Sequence, residues 1–430
     1  MSAHLRLLVL VAAAAMSSTP ASAQSAQTLT LQQAEQLAIQ NHPLIQAASN
    51  MASAAKAQVT EARSAYYPTV YGSLTGVGAE NASRIAAGGL NNPIIYDRYA
   101  NGVAVSQMVT DFGRTHELVK SSDLHAQAQQ ESVVTTRASV LLQVDQSYFA
   151  ALKAQTVLVV AQETVKARQL VSDQVTELAK NKIRSDLDVN FANVNLAQAQ
   201  LLFIQAQNDL RSAFARLAAA LGSSDQTTFQ LADQPLPPAP PPDVSALIQQ
   251  ALKDRPELVG QRLTVGSAQS YATAERDLKL PTISALGAAG LTPVNESPLA
   301  PRYAAGGFNV NIPLFNGHLY GARETEAAAR AQAETQYLRD LQNQIVRDVQ
   351  TAWLGADAAF QRLSVTDRLL AAANQALDLA QERYNLGLSS IIELTQAQLN
   401  QTTARIEQAS ARYDYHAQYS MLNYQLGALH

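Results

Sequence analysis

Ionisable and aromatic side chains gather at two places that are 205 residues apart: Arg184, Asp186 and Asp188 at the first, Tyr384 and Glu393 at the second. Each group surrounds a serine with the pattern of a helix start, Ser185-Asp186-Leu187-Asp188 and Ser390-Ile391-Ile392-Glu393. A serine hydroxyl there accepts from the backbone three residues on, and an acid at that position can reach back. Acids in a first turn are also stabilised by the helix dipole. If these acids line a water-filled passage, repeated copies would set like charges at one narrow level and favour cations. Bond-breaking chemistry has no such footing. The seven histidines fall into no metal-ligand spacing, and there is no cysteine to act as nucleophile or thiolate ligand. Gly72-Ser73-Leu74-Thr75-Gly76 puts leucine where a nucleophile elbow needs serine. No enzyme, cofactor or metal is expected.

What positions those two groups is a duplication. His42-Pro43 recurs as Arg255-Pro256 and Pro68-Thr69 as Pro281-Thr282, both at an offset of 213. Beyond them the offset is 205: Asp111/Asn316, Tyr148/Trp353, Glu177/Glu382, Ser185/Ser390 and Leu221-Gly222/Leu426-Gly427. The first copy therefore carries about eight extra residues between Pro68 and Asp111, as a loop can. The expected organisation is a signal peptide over 1–23, a first repeat over 24–233, a Pro-rich connector over 234–243 and a second repeat over 244–430. Tyr148 and Trp353 read as packing aromatics.

Within each repeat the hydrophobic period changes twice. Thr30-Leu31-Gln32-Gln33 is a capping box that opens a helix, and a second helical stretch follows Pro43. In the second copy Asp243 is the matching N-cap. After Pro68 and Pro281 the pattern alternates with period two, giving β-hairpins over about 69–110 and 282–315. Strands are expected near 69–77, 102–109, 282–291 and 306–314. Phe308, Val310 and Ile312 alternate with Asn309 and Asn311, and Val103, Val105 and Gln107 with Ala104 and Ser106. Runs of about ten residues with one greasy face suit membrane barrel strands. Pro68, Pro281 and Pro313 are expected to bend the chain between strand and helix.

Helical hairpins follow over about 114–221 and 319–426. Residues 114–180 contain neither proline nor glycine, so one helix of roughly 100 Å is expected there. The return helices place a large apolar residue every seven positions: Leu187, Val194 and Leu201, then Ile392, Leu399, Ile406 and Tyr413. That spacing signals coiled-coil packing. Lys182 occupies the position of Gly387, so the two turns are expected to differ. Four strands cannot close a barrel, and open edges are not tolerated in lipid, so several chains must share one barrel. Three chains would give twelve strands, enough for a lumen.

Composition agrees with an exported chain. Arg6, the apolar run Leu7 to Met16 and Ala21-Ser22-Ala23 form a secretory signal ending before Gln24. Charged residues make up 15% of the chain and its formal charge is −4, without basic clusters, which argues against nucleic acid as a partner.

Several stretches together resemble the TolC-like outer membrane efflux proteins over the whole mature chain. They are Leu29-x-Leu31…Ala38…Asn41-x-Pro43, Tyr67-Pro68, Gln107…Asp111-Phe112-Gly113-Arg114 and Pro313-Leu314-Phe315-Asn316-Gly317. Tyr384-x-x-Gly387-x-x-x-x-Ile392-Glu393-Leu394 and Leu426-Gly427 complete the set. The resemblance implies a mainly α chain with a membrane β portion: a homotrimer with a twelve-stranded barrel in the outer membrane of a Gram-negative bacterium and a helical barrel in the periplasm. It implies an exit duct for efflux of small molecules such as drugs or metals. A type I protein secretion duct is the alternative, and a periplasmic structural coiled coil the rival of another class. Implied partners are a periplasmic adaptor, an inner membrane transporter of resistance-nodulation-division, ABC or major facilitator type, and outer membrane lipid. It also implies a tip constriction formed by Glu393, Asp188, Asp186, Arg184 and Tyr384, with Ser389 and Gln396 where the family has a base and a second acid. Asn385, Leu386, Gly387, Leu388 and Ile183 would then be the adaptor-contact turns.

Overall fold

The computed structural model describes residues 28–78, 98–223, 229–292 and 300–429, so the signal segment and the ends of both hairpin loops lie outside the described residues. The first repeat runs β1 (Thr28–Leu29), α1 (Leu31–Asn41), α2 (Pro43–Ser64), β2 (Thr69–Val77), β3 (Arg98–Thr110), α3 (Arg114–Lys180) and α4 (Asp186–Ala220). After β4 (Gln230–Leu231) the second runs α5 (Val244–Asp254), α6 (Pro256–Arg276), β5 (Thr282–Leu291), β6 (Arg302–Asn311), α7 (Leu319–Asn385) and α8 (Ile391–Gln425). The copies match element for element: α3 and α7 each have 67 residues, α4 and α8 each 35.

Local chemistry sets these bounds. Thr30 and Gln33 complete the capping box of α1, and Asp243 accepts from the Ser245 amide to cap α5. Pro43 and Pro256 each stand in the first turn of the next helix, where a missing N–H loses nothing. Pro68, Pro281 and Pro313 all fall in the short segments between helix and strand. Two strand limits differ from the alternation. β3 starts at Arg98, ahead of Gly102, and β6 spans Arg302–Asn311 in place of 306–314. The strand stops short of the alternating Ile312 and Leu314, where Pro313 has no N–H to extend the ladder.

The four long strands form one antiparallel sheet in the order β2-β3-β5-β6. The register sets Val70 opposite Val105, Val103 opposite Ala289, Ala285 opposite Phe308 and Ile283 opposite Val310. These share one face. Thr69, Ser73, Ser106, Ser284 and Asn309 share the other. Val70, Leu74, Phe308 and Val310 are exposed, Phe308 at 78%, so among the described residues nothing covers the apolar face. Among the described residues β2 and β6 are edge strands with bare outer ladders.

Below the sheet, α3 lies against α2, α4, α6 and α8, and α7 lies against α6 and α8. The seam that closes these contacts is made of small residues stepping in sevens. Ala192, Ala199, Ala206, Ala213 and Ala220 are buried on α4, Ala352, Ala359, Thr366, Ala373 and Ala380 on α7, and Ala397, Ala404 and Ala411 on α8. The leucine heptads do not make this internal seam. Leu187, Val194, Leu201, Ile392 and Leu399 are all more than half exposed; of that series only Tyr413, near the waist, is buried. Alanine lets backbones approach closely inside the chain, which leaves the larger side chains as an uncovered ridge.

At the waist the two aromatic counterparts pack and also fasten straps. The Tyr148 hydroxyl donates to the carbonyls of Leu29 (2.9 Å) and Ala232 (2.7 Å), which flank the parallel pair β1 and β4. Trp353 Nε1 donates to the Pro241 carbonyl at 2.8 Å, and the Tyr415 hydroxyl donates to that of Pro238. The Pro-rich connector is thereby held against the helices, although proline gives it no amide ladder of its own.

Candidate functional site

The residues singled out from sequence lie at the far ends of the two long helical hairpins. Each hairpin turns in five residues, 181–185 and 386–390. The backbones of the two turns are alike. The Ile183 amide donates to Leu178 O at 2.9 Å and the Lys182 amide to Ala179 O at 2.9 Å. The Leu388 amide donates to Arg383 O at 2.8 Å and the Gly387 amide to Tyr384 O at 3.0 Å. Both are Schellman closures, which need a left-handed residue. Lys182 supplies it at φ 60° and Gly387 at φ 74°, so the expected difference between the turns is corrected. Satisfying the last carbonyls of a 67-residue helix outweighs the strain of a lysine there. That strain is about 1 kcal/mol. Lys182→Gly should therefore raise the hydrogen-exchange protection of residues 178–183 roughly fivefold. Unchanged protection would mean that Lys182 carries no backbone strain.

The serine caps are not equivalent. Ser185 forms the complete box, its hydroxyl accepting from the Asp188 amide while Asp188 Oδ2 accepts from the Ser185 amide, both at 3.2 Å. Ser390 gives only half of one: its hydroxyl accepts from the Glu393 amide at 3.4 Å. The Glu393 carboxylate turns instead to Arg383, 3.1 Å from Nε. Sequence reasoning missed Arg383. It sits in the last turn of α7, where a base reaches the first turn of the returning helix. Ser389, in the place of the family's base, keeps a buried hydroxyl with no partner among the described residues. Gln396 donates to Asn400 at 2.9 Å, one turn along its own helix.

A second contact joins the two repeats. Arg184, from the first turn, lays its guanidinium over the Tyr384 ring at 4.2 Å and donates to the Tyr384 carbonyl at 2.8 Å. Tyr384 is 5% exposed, beside Ile391, Leu394, Val175 and Ala192, and burial pushes its phenol pKa up. Asn195 Nδ2 donates to Thr395 Oγ1 at 2.9 Å, a further bond across the repeats. Asp186 stays exposed in the first turn of α4. Around the tip, acids at Glu177, Asp186, Asp188, Glu382 and Glu393 are nearly balanced by Lys180, Lys182, Arg184 and Arg383. A purely acidic ring is thus not what these residues build.

Beyond this charged level the turns end in apolar side chains. Ile183, Leu187, Leu386 and Leu388 are exposed by 63% to 73%. Asn385 and Gly387 stand between them, with the Gln381 amide donating to Asn385 Oδ1 at 3.1 Å. The structure so brings Arg184 and Tyr384 into contact, sets Glu393 on Arg383, gives Asp188 to a cap and leaves Asp186 in solvent.

A sequence model of the family described as outer membrane efflux protein matches residues 34–223 and 247–428. The chain is 22% identical over 406 residues to the outer membrane protein TolC of Escherichia coli K12, covering 90% of this chain and 80% of that one. It is 26% identical over 388 residues to protein CyaE of Bordetella pertussis, covering 88% and 79%. The crystal structure of the Campylobacter jejuni CmeC outer membrane channel superposes with a TM-score of 0.79 at 17% identity, over 93% of this chain and 85% of that one.

Proposed function

This chain belongs to the outer membrane efflux protein family, and from that premise we infer that it is the outer membrane exit duct of a tripartite efflux assembly. The observation that carries the reading is a sheet that, among the described residues, has an uncovered apolar face and two bare edges, joined directly to helices roughly 100 Å long. In lipid such edges must be paired, and sister subunits are the partners with matching strands. Three chains give a twelve-stranded barrel with an aqueous lumen, its Phe308 face toward lipid and its Asn309 face inward. The ridge of Leu187, Val194, Leu201, Ile392 and Leu399 meets neighbouring subunits. A structural coiled coil in the periplasm would have no use for such a sheet.

Transport through the duct is passive. A periplasmic adaptor contacts the turns through Ile183, Leu386 and Leu388, around Asn385 and Gly387, and links the duct to an inner membrane transporter. Arg184 on Tyr384 and Arg383 on Glu393 hold the tip narrow until the adaptor arrives. Removing the Arg184 guanidinium loses a cation–π contact and a charge-assisted hydrogen bond, together about 1–2 kcal/mol. Purified Arg184→Ala trimer in planar bilayers should open about ten times more often than the parent. An unchanged open fraction would remove Arg184 from the closure.

Deleting the chain tests the function as a whole. Tolerance of drugs or metals should fall while the profile of secreted proteins stays intact. Lost secretion with unaltered tolerance would move the assignment to protein export. Membrane-extracted protein should run as an oligomer that dissociates on heating, and a water-soluble monomer would overturn the duct altogether.

A further inference from the structure

Far from the tip, where α1 leans on the shaft, two carboxyl groups meet with no base between them. Asp145 on α3 is 3% exposed. It lies where Ala34 and Ala38 of α1 pack with the adjoining Val144 and Tyr148 of α3, close enough to the half-buried Glu35 of α1 and to Ser420 of α8 for both to act on its charge. Asp145 Oδ1 has no donor among the described residues. Two facing carboxylates offer only acceptors, so a proton on one of them is what turns their contact into a hydrogen bond.

Among the described residues, the bases on the neighbouring stretches of α3 and α8 are engaged with other acids. Arg412 of α8 is held by Asp233 at 2.7 Å, and Lys153 of α3 by Asp414 of α8 at 3.0 Å. His416 of α8 stacks on Phe149 at 4.5 Å with Nε2 unpartnered, and burial with the nearby Arg412 charge lowers its pKa to about 4. It is neutral wherever the carboxyls titrate above that. Around this site α1 adds Ala34 and Ala38, and α4 adds Ala213, Leu217 and Ala220, all apolar.

We propose that Glu35 and Asp145 share one proton across the contact of α1 with α3, and that losing it loosens α1 from the helical shaft at the waist. The titration has a definite sign. Burial, with the Glu35 charge beside it, raises Asp145 from 3.8 to about 7, and burial likewise raises Glu35. Docked α1 therefore binds the proton more tightly than undocked α1. Docking is strongest in acid, weakens as pH climbs from the ordinary carboxylate range to about 7, and levels off above it. His416 acts in the opposite direction at acid pH, because an exposed imidazole would take a proton that the buried one refuses. A comparison with Asp145→Asn cancels the histidine contribution, since both forms carry it.

The measurement is hydrogen exchange of residues 31–41 in detergent-solubilised full-length protein from pH 5 to pH 8.5. The ratio of protection factors, parent over Asp145→Asn, should fall by up to about tenfold per pH unit as far as about 7, then flatten. A ratio constant across that range overturns the shared proton. Should Asp145→Asn fail to assemble, Glu35→Gln serves. Its amide can donate to an ionised Asp145, so the fall of α1 protection should move to lower pH than in the parent. A pH profile identical to the parent's in Glu35→Gln would equally refute the pairing. Neither outcome depends on what passes through the protein.

Discussion

Phe308→Arg should remove the protein from the outer membrane fraction, whereas Asn309→Arg, one residue along the same strand, should leave it assembled. Phe308 is opposite Ala285 on the apolar face of the sheet, and Asn309 is opposite Ser284 on the polar face. An arginine facing lipid near the bilayer middle is unfavourable by about 2–4 kcal/mol per chain, and a symmetric barrel repeats that in every subunit. On the other face the same side chain meets water. Its expected effect there is a shift of ion preference toward anions, read in planar bilayers. Membrane fractionation and heat-dissociation of both variants give the test. Equal losses from the two would mean that the sheet has no lipid side.

Ala404→Leu should break the second helical hairpin from within. Ala404 is 1% exposed in the alanine seam of α8, where added volume has nowhere to go. Overpacking of this kind destabilises by about 1–3 kcal/mol per chain. Proteolytic cleavage within α7 and α8 of the purified protein should rise by about one to two orders of magnitude. Leu399→Ala makes the opposite change on the outward ridge, where the parent side chain is 51% exposed. It should lower the temperature at which the oligomer dissociates without speeding cleavage inside the hairpin. If Leu399→Ala opens the hairpin and Ala404→Leu does not, the two stripes have exchanged roles.

That pair of stripes explains what the sequence could and could not tell. The limits of α3 are legible because no proline or glycine interrupts residues 114–180, those of α7 because it repeats α3 at an offset of 205 despite Gly321 and Gly355, and Ser185 and Ser390 announce the return helices. Alternation of Phe308 with Asn309 likewise assigns the strand faces, since period two leaves one choice of partner for each side chain. The helix seam is different. Leucine and alanine both recur every seven residues, and periodicity alone cannot say which stripe faces the chain's own helices. The larger residues suggested coiled-coil packing between neighbouring helices, and close backbone approach gave the contacts inside the chain to alanine. At the tip, the balance between Asp188, Glu393 and their bases depended on Arg383, ten residues from Glu393 and across a turn. Nor could residue type foresee that Lys182 would take the backbone shape of Gly387. The Schellman hydrogen bonds impose it, whatever side chain is present.

The bare ladders of β2 and β6 also bear on how the protein comes into being. Helices such as α3 make contacts that are close in sequence and form early, while the sheet's outer hydrogen bonds wait for other molecules. Until those arrive, a solitary polypeptide carries two sticky rims and a greasy flank through an aqueous compartment. Steep dependence of aggregation on expression level is the expected result, because partner chains must pair those rims before any single chain is safe.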